Sequence, residues 1–249
     1  MDDLLDHEAI ADARAVLGRA RAIAVLTGAG ISAESGIPTF RDALTGLWSR
    51  YRPEDLATPE AFRRDPKTVW DWYAWRRERV AGMQPNVGHR ALAKMEADAG
   101  ARKARFTLIT QNVDGLHHAA GSRAIHELHG NIRRVKCFDC AGPAASWEEN
   151  ESPPRCSACG AWLRPDVVWF GEALPAEELA AAMRAAAGCD VFLSVGTSGL
   201  VEPAASLAFS ALNHGAAVIE VNPDRTPLTS HALFAFHGPA GTVLPLLAG

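Results

Sequence analysis

Four short runs in this sequence are apolar on both faces: Ala22-Ile23-Ala24-Val25-Leu26, Phe106-Thr107-Leu108-Ile109, Val191-Phe192-Leu193-Ser194-Val195 and Ala217-Val218-Ile219-Glu220-Val221. A strand with one wet face alternates polar and apolar residues, so runs without that alternation belong in a sheet covered on both sides. Helical stretches lie between them. Glu8 to Arg19 sets Ile10, Ala13 and Leu17 on one face. Pro175 to Ala187 and Pro203 to Asn213 each carry a proline near the start, where its missing amide hydrogen is harmless. Strands alternating with helices predict an α/β fold with a Rossmann-like, doubly wound parallel sheet. The 249 residues make one large domain, or a domain with a small appendage, and 48% hydrophobic composition excludes general disorder.

Two segments interrupt the alternation. Residues 41–83 carry Trp48, Tyr51, Trp70, Trp72, Tyr73 and Trp75, and Thr68 to Val80 has a helical pattern. Residues 133–165 are prominent in Gly, Pro and Cys. Both read as insertions that build a smaller domain beside the sheet. The expected division is 1–40, 84–132 and 166–249 for the sheet domain, 41–83 for a helical insertion and 133–165 for a cysteine-bearing module.

Cys137-Phe138-Asp139-Cys140 and Cys156-Ser157-Ala158-Cys159 are two C-x2-C knuckles with residues 141–155 between them. Each tight turn supplies two thiolates, and four thiolates make a closed tetrahedral zinc site. With every valence filled by sulfur, that one zinc is structural and not catalytic. Cys189 stands alone at the start of an apolar run and reads as a buried spectator. An odd count of five cysteines argues against a disulfide framework. The acidic opening Met1 to Glu8 lacks a signal-peptide core, and no run reaches the ~18 apolar residues of a spanning helix. A cytoplasmic chain without membrane partners is expected. A net charge of -4 gives no global attraction to nucleic acid. Arg133, Arg134 and Lys136 flank the first knuckle, but Asp139, Glu148, Glu149 and Glu151 surround the rest, so nucleic-acid binding is not expected.

Gly28-Ala29-Gly30-Ile31-Ser32-Ala33 fits G-x-G-x-x-[GA] directly after the first apolar run. Its glycines permit a tight turn and close approach of backbone to a pyrophosphate, although a plain strand-to-helix turn has the same look. No acidic residue caps a second strand about 20 residues on, as the ordinary dinucleotide fingerprint requires. A dinucleotide here needs another hold on its ribose.

Together, Gly28 to Arg41 (GAGISAESGIPTFR), Thr110 to His117 (TQNVDGLH), Leu128-His129-Gly130, the paired knuckles and Gly196-Thr197-Ser198 resemble the sirtuins, from about residue 20 to the C-terminus. The resemblance implies an NAD-dependent protein-lysine deacylase that consumes NAD as co-substrate. The acyl oxygen attacks C1′ of the nicotinamide ribose, nicotinamide leaves, and the products are free lysine and O-acyl-ADP-ribose. On this likeness His129 is the catalytic base, as a neutral imidazole near physiological pH can be. Asn112 and Asp114 act beside it, and Gln111, Asn112, Val113 and Asp114 hold the nicotinamide and its ribose. Gly28, Ala29, Gly30, Ile31, Thr39, Phe40 and Arg41 form the cofactor loop. Gly196, Thr197, Ser198, Asn222, Pro223, Asp224 and Ala240 take the adenosine side. His126-Glu127-Leu128-His129 is H-E-x-H and not the H-E-x-x-H of zinc proteases, so its rings are not expected to converge on a metal. His117 and His118 read as packing or hydrogen-bonding partners.

Tyr73 and Arg76 are three apart and share one face of the expected helix. An arginine fork pairs a carboxylate with two parallel hydrogen bonds, and a tyrosine hydroxyl adds a third. By composition alone the same stretch is also an aromatic core helix whose arginine points to water. Within the family, Tyr-x-x-Arg resembles the class III sirtuins, which remove succinyl, malonyl or glutaryl groups, and Ala57 resembles the small residue that admits their longer chains. Acetyl removal is expected as well. Val167 to Glu172, with Val168, Phe170 and Gly171, and Gly199 to Glu202 resemble the segments that clamp an extended acyl-lysine peptide, a mode that tolerates many sequences. The competing classes are mono-ADP-ribosyl transfer and a zinc-bearing module that binds NAD or ADP-ribose without turnover; a pure sensor has no need of His129, Asn112 and Asp114. A monomer is favoured, with nothing in the sequence to fix the oligomeric state.

Overall fold

The four apolar runs form the middle of a six-stranded parallel sheet in the computed structural model, which describes residues 6–37, 52–147 and 151–249. They are β1 (Ala22–Thr27), β2 (Arg105–Thr110), β7 (Val191–Val195) and β8 (Ala217–Val221), flanked by the three-residue edge strands β3 (Ile125–Glu127) and β9 (Phe234–Phe236). The order is β3-β2-β1-β7-β8-β9. From β1 the chain winds outward through β2 and β3, then returns to the other side of β1 and winds outward again. Every residue of β1 and β7 is buried, as the missing alternation requires.

Helices cover both faces. On one, α1 (His7–Arg19), α5 (Val87–Ala101) and α9 (Ala240–Ala248) pack with Val25, Leu108 and Leu193, all fully buried. Each such side chain contributes about 1.5–3 kcal/mol of transfer free energy. Asp6 starts α1 by accepting the Glu8 and Ala9 amides, and Asn86 starts α5 by accepting those of Gly88 and His89. On the other face, α7 (Ala176–Ala187) and α8 (Ser206–Asn213) cover Leu26, Ile109 and Phe192. The α8 helix begins at Ser206 and not at Pro203: the Ser206 and Leu207 amides reach back three residues, to the Pro203 and Ala204 carbonyls, as in a turn, and Glu202 accepts the Ser206 hydroxyl.

The interrupting segments build a second body. Among the described residues its helices are α3 (Pro59–Arg64) and α4 (Pro66–Ala81), and its antiparallel sheet joins β4 (Gly130–Cys137) to β5 (Pro143–Ala144) and β6 (Leu163–Val167). Leu56, Phe62, Trp72, Tyr73 and Trp169 form one of its cores, and Trp70, Val135 and Leu163 join Cys137 and Cys156 in another. Among the described residues no helix is long and apolar enough to cross a membrane.

Candidate functional site

The order of the sheet puts a crevice at the carboxyl ends of β1 and β7, where the winding reverses and such sheets bind ligands. Just past the strand ends the hydrogen-bond ladder continues by one step. Gln111 donates its N–H to Thr27, Gly28 to Val195, Gly196 to Val221 and Asn222 to Phe236, at 2.9–3.1 Å. Four loops that are distant in sequence thus leave the sheet side by side. The Gln111 amide crosses to the Thr197 hydroxyl at 3.0 Å, and the Asn222 side chain donates to the Asp224 carbonyl at 2.8 Å. Ala29, Ser198, Pro223 and Asp224 are exposed along this rim.

The glycines do a different job from the one the motif suggests. A Cβ on Gly28 lies 2.7 Å from the Gly196 oxygen, and one on Gly30 lies 2.7 Å from the Gly196 Cα. Their nearest backbone is the β7 loop, so they serve the crossing of two loops before any ligand arrives. Gly30 opens the short helix α2 (Gly30–Ala33), in which Ile31 is fully buried in the sheet core; Ala240 is buried at the start of α9. Thr39, Phe40 and Arg41 lie outside the described residues.

Asn112 and Asp114 are buried and hydrogen-bonded to their surroundings. Asn112 donates to the Gly28 carbonyl at 3.0 Å and to the Ser32 hydroxyl at 3.1 Å. Ser32 donates to Asp114 Oδ2 at 2.8 Å, and Asp114 Oδ1 accepts the Leu116 amide at the start of α6 (Leu116–Ala120). His89 Nε2 lies 3.4 Å from the Ser32 hydroxyl, and its ring packs 4.8 Å from that of His117. His117 in turn meets the Thr27 hydroxyl at 3.0 Å, while exposed His118 pairs with Glu127. Burial holds His89 down at about 4 and His117 at about 3, so both are neutral imidazoles at pH 7. Val113 points toward the second body, and its carbonyl accepts the Ile132 amide. Arg133 binds the Asp114 carbonyl at 3.0 Å and the Val80 carbonyl of α4 at 3.3 Å, which ties this loop to the helical insertion. Sequence patterns single out neither Ser32, His89 nor Arg133 for the site, because their partners are far away in the chain.

His129 leaves β3 half-buried at the mouth of the crevice, and its Nδ1 lies 2.8 Å from the Gln111 carbonyl. A carbonyl can only accept, so Nδ1 carries the hydrogen and Nε2 keeps its lone pair. Burial lowers the pKa of this imidazole and the Gln111 carbonyl partly opposes it. His126 faces elsewhere and meets Glu178 of α7 at 2.7 Å.

The four knuckle thiols converge. Their sulfurs lie within 4.8 Å of one another, with Cys137 to Cys159 at 3.4 Å and Cys140 to Cys156 at 3.9 Å. A tetrahedron of sulfurs about 2.3 Å from zinc has edges of about 3.8 Å, so the set fits that ion. Among the described residues no other His, Cys, Asp or Glu group has such geometry. Cys189 is buried apart from them, its thiol on the Ala186 carbonyl.

Residues 167–172 run between His129 and the helical insertion. Val168 donates its N–H to the His129 carbonyl and Phe170 donates to that of Ala57, both at 2.9 Å. Ala57 and Tyr73 are buried, whereas Phe170 is 55% exposed and Gly171 takes a φ of +86°. Leu200 and Val201 are exposed apolar residues on the β7 loop. Tyr73 and Arg76 share a face of α4, with the guanidinium 4.8 Å from the Trp72 ring centroid and 5.9 Å from that of Tyr73. The Tyr73 oxygen accepts the Trp169 indole N–H at 3.0 Å, and burial pushes its pKa up to about 12.

This architecture has relatives. The chain is 53% identical over 243 residues to the NAD-dependent protein deacylase of Ralstonia nicotianae, covering 97% of each. It is 54% identical over 224 residues to the one of Aquifex aeolicus, covering 89% of this chain and 92% of that one. The solved Sir2 homolog–NAD complex superimposes with a TM-score of 0.87 at 47% identity, covering 98% of this chain and 93% of that one. A Sir2–p53 peptide–NAD+ complex does so with 0.83 at 28%, covering 97% and 96%. The model of the Sir2 family matches residues 28–203, across the glycine loop, the buried Asn112 and Asp114 pair, His129 and the knuckles, and the chain belongs to that family.

Proposed function

We propose that this protein is an NAD-dependent protein-lysine deacylase that removes acidic acyl groups (succinyl, malonyl and glutaryl) and also acetyl. The observation that carries the reading is the 2.8 Å hydrogen bond from His129 Nδ1 to the Gln111 carbonyl. It fixes the tautomer that leaves Nε2 basic, and Gln111 is itself bound to the end of β1 beside Gly28. Bound NAD supplies the ribose C1′ that the acyl oxygen attacks, nicotinamide as leaving group, and a 2′-hydroxyl whose proton must be taken up.

His129 Nε2 is the acceptor for that proton. Asn112 and Asp114, held rigid by Ser32, orient the nicotinamide end, with Gln111 and Val113 beside them. Gly28, Ala29, Gly30 and Ile31, together with Thr39, Phe40 and Arg41, form the loop around the phosphates. Gly196, Thr197, Ser198, Asn222, Pro223, Asp224 and Ala240 take the adenosine end. Val168, Phe170 and Gly171 carry an extended acyl-lysine peptide, and Ala57 leaves room for its acyl chain. Arg76 and Tyr73 read a carboxylate at the end of that chain. One zinc on Cys137, Cys140, Cys156 and Cys159 holds the small body together and takes no part in the chemistry.

Nicotinamide release from NAD, measured with and without a succinyl-lysine peptide, tests this reading. Release should depend on the peptide, and His129→Ala should lower kcat by about 10²–10⁴, the usual weight of a general base. Peptide-independent release, or an undiminished His129→Ala variant, contradicts it.

A further inference from the structure

Trp169 sits between two peptide-clamping residues, yet it is buried and clamped from several sides. The Arg164 guanidinium carbon lies 3.3 Å from its ring centroid. That guanidinium is held by Glu172 through a bidentate pair, Nη1 to Oε1 at 2.5 Å and Nη2 to Oε2 at 2.9 Å. Glu172 Oε2 also accepts the main-chain N–H of Trp169 at 2.8 Å. Phe62 and Phe138 pack against the indole with centroids at 5.4 and 6.3 Å. A ring held this way has no alternative rotamer to visit, so its Nε1–H is a donor fixed in space. It points at the Tyr73 oxygen, 3.0 Å away.

A phenol has one hydrogen to give and lone pairs to accept with. Accepting the indole N–H commits a lone pair and sets how the hydroxyl can turn. The phenol's own hydrogen is then offered as a donor. A donor is useless to a terminal methyl group but suits a carboxylate, and the Arg76 guanidinium lies on the same helix face.

We propose that Trp169 is a specificity-determining positioning residue, whose indole N–H turns the Tyr73 hydroxyl into a fixed donor for acyl chains that end in a carboxylate. This inference rests on the acidic-acyl reading of Tyr73 and Arg76. It adds that the selectivity is set from behind the pocket, by a residue that does not touch the acyl group. Glu172 and Arg164 extend the same line of support to β6 and the zinc-bearing body.

The test is a double-mutant cycle on KM and kcat for succinyl-lysine and acetyl-lysine peptides at saturating NAD. Trp169→Phe keeps a ring for Arg164 and removes the N–H. It should raise the succinyl-to-acetyl KM ratio by about three- to tenfold, the weight of the one neutral hydrogen bond that aims the Tyr73 hydroxyl. In a Tyr73→Phe background the same substitution should leave the ratio where Tyr73→Phe alone puts it. Benzothienylalanine at position 169 has the indole's shape without its N–H, and gives the same comparison without a cavity should Trp169→Phe fold poorly. An unchanged ratio, or an equal change with and without the Tyr73 hydroxyl, overturns the proposal and leaves the acidic-acyl reading standing. A wild-type enzyme with no succinyl preference, and a Tyr73→Phe variant with the same ratio, overturns both.

Discussion

Gly30 donates its N–H to the Gly196 carbonyl at 2.8 Å, and neither residue has room for a side chain. A Cβ on Gly196 would lie 2.6 Å from the Ile31 nitrogen, and Gly196 holds a φ of +58°. Both neighbours are backbone, which cannot swing aside. Gly196→Ala should therefore cost at least about 2 kcal/mol, from overpacking and the left-handed conformation together. Gly100 is the contrast, a residue of α5 with nothing within 4 Å of its Cβ position. Gly100→Ala should stabilise by up to about 1 kcal/mol. Urea midpoints of the two variants decide the matter, and equal shifts contradict the crossing-loop account.

The His89 and His117 pair makes stability depend on pH. Among the described residues neither Nδ1 has a hydrogen-bond partner, and burial holds both rings neutral down to about 4 and about 3. In the unfolded chain both titrate near the ordinary histidine value of about 6.5. Below that value the unfolded state binds more protons than the native one, so the stability present above it is lost as pH falls. Each histidine contributes a slope of up to about 1.4 kcal/mol per pH unit. Denaturant unfolding between pH 7.5 and about pH 5 should show this loss, and His117→Gln should flatten it. An identical slope in that variant contradicts the assignment.

Much of this was legible in the sequence, for reasons the structure makes concrete. The runs at β1, β2, β7 and β8 are readable because strands buried on both faces leave no polar alternation. The edge strands Ile125–Glu127 and Phe234–Phe236 are not, since three residues carry no period. The small sheet is likewise obscured by Arg133, Arg134 and Lys136 within β4, whose alternation is broken by a register shift. The knuckles declare themselves by spacing, as local geometry does. Ser32 with Asp114, and Trp169 with Tyr73, are pairings across 82 and 96 residues that no local pattern encodes. Gly28 and Gly30 are visible as a motif, but their close approach to Gly196 belongs to the fold, since it joins loops far apart in the chain.

Metal removal should act on folding before chemistry. Cys137 and Cys156 sit in the core beside Trp70, Val135 and Leu163 while Cys140 and Cys159 are exposed, so losing the ion leaves four thiols at the edge of that core without their organising centre. Metal analysis should find one zinc per chain. Cys140→Ser should lower both zinc content and the thermal midpoint, and a strong chelator should do the same to the native protein. Full stability and activity in zinc-free protein contradicts the structural role.

Arg76 carries the acidic-acyl reading most directly. Its guanidinium lies beside Tyr73 and within electrostatic reach of Asp114, and burial lowers its pKa against the pull of both. Arg76→Met keeps the length of the side chain and removes the fork. Desuccinylation should fall by about 10²-fold or more, the cost of leaving a carboxylate unpaired, while part of the deacetylation survives. Equal loss of both activities contradicts a carboxylate-reading role.

We propose that one site, with His129 as base and Arg76 and Tyr73 beside the acyl end, moves acidic acyl groups from lysine to the ADP-ribose part of NAD as nicotinamide leaves. The deciding measurement is kcat/KM for acetyl-, succinyl-, malonyl- and glutaryl-lysine versions of one peptide with NAD, following nicotinamide and O-acyl-ADP-ribose together. Both products should form in equal amounts, with the acidic acyl groups preferred over acetyl. Nicotinamide released without O-acyl-ADP-ribose, or acetyl preferred over every acidic group, would contradict it.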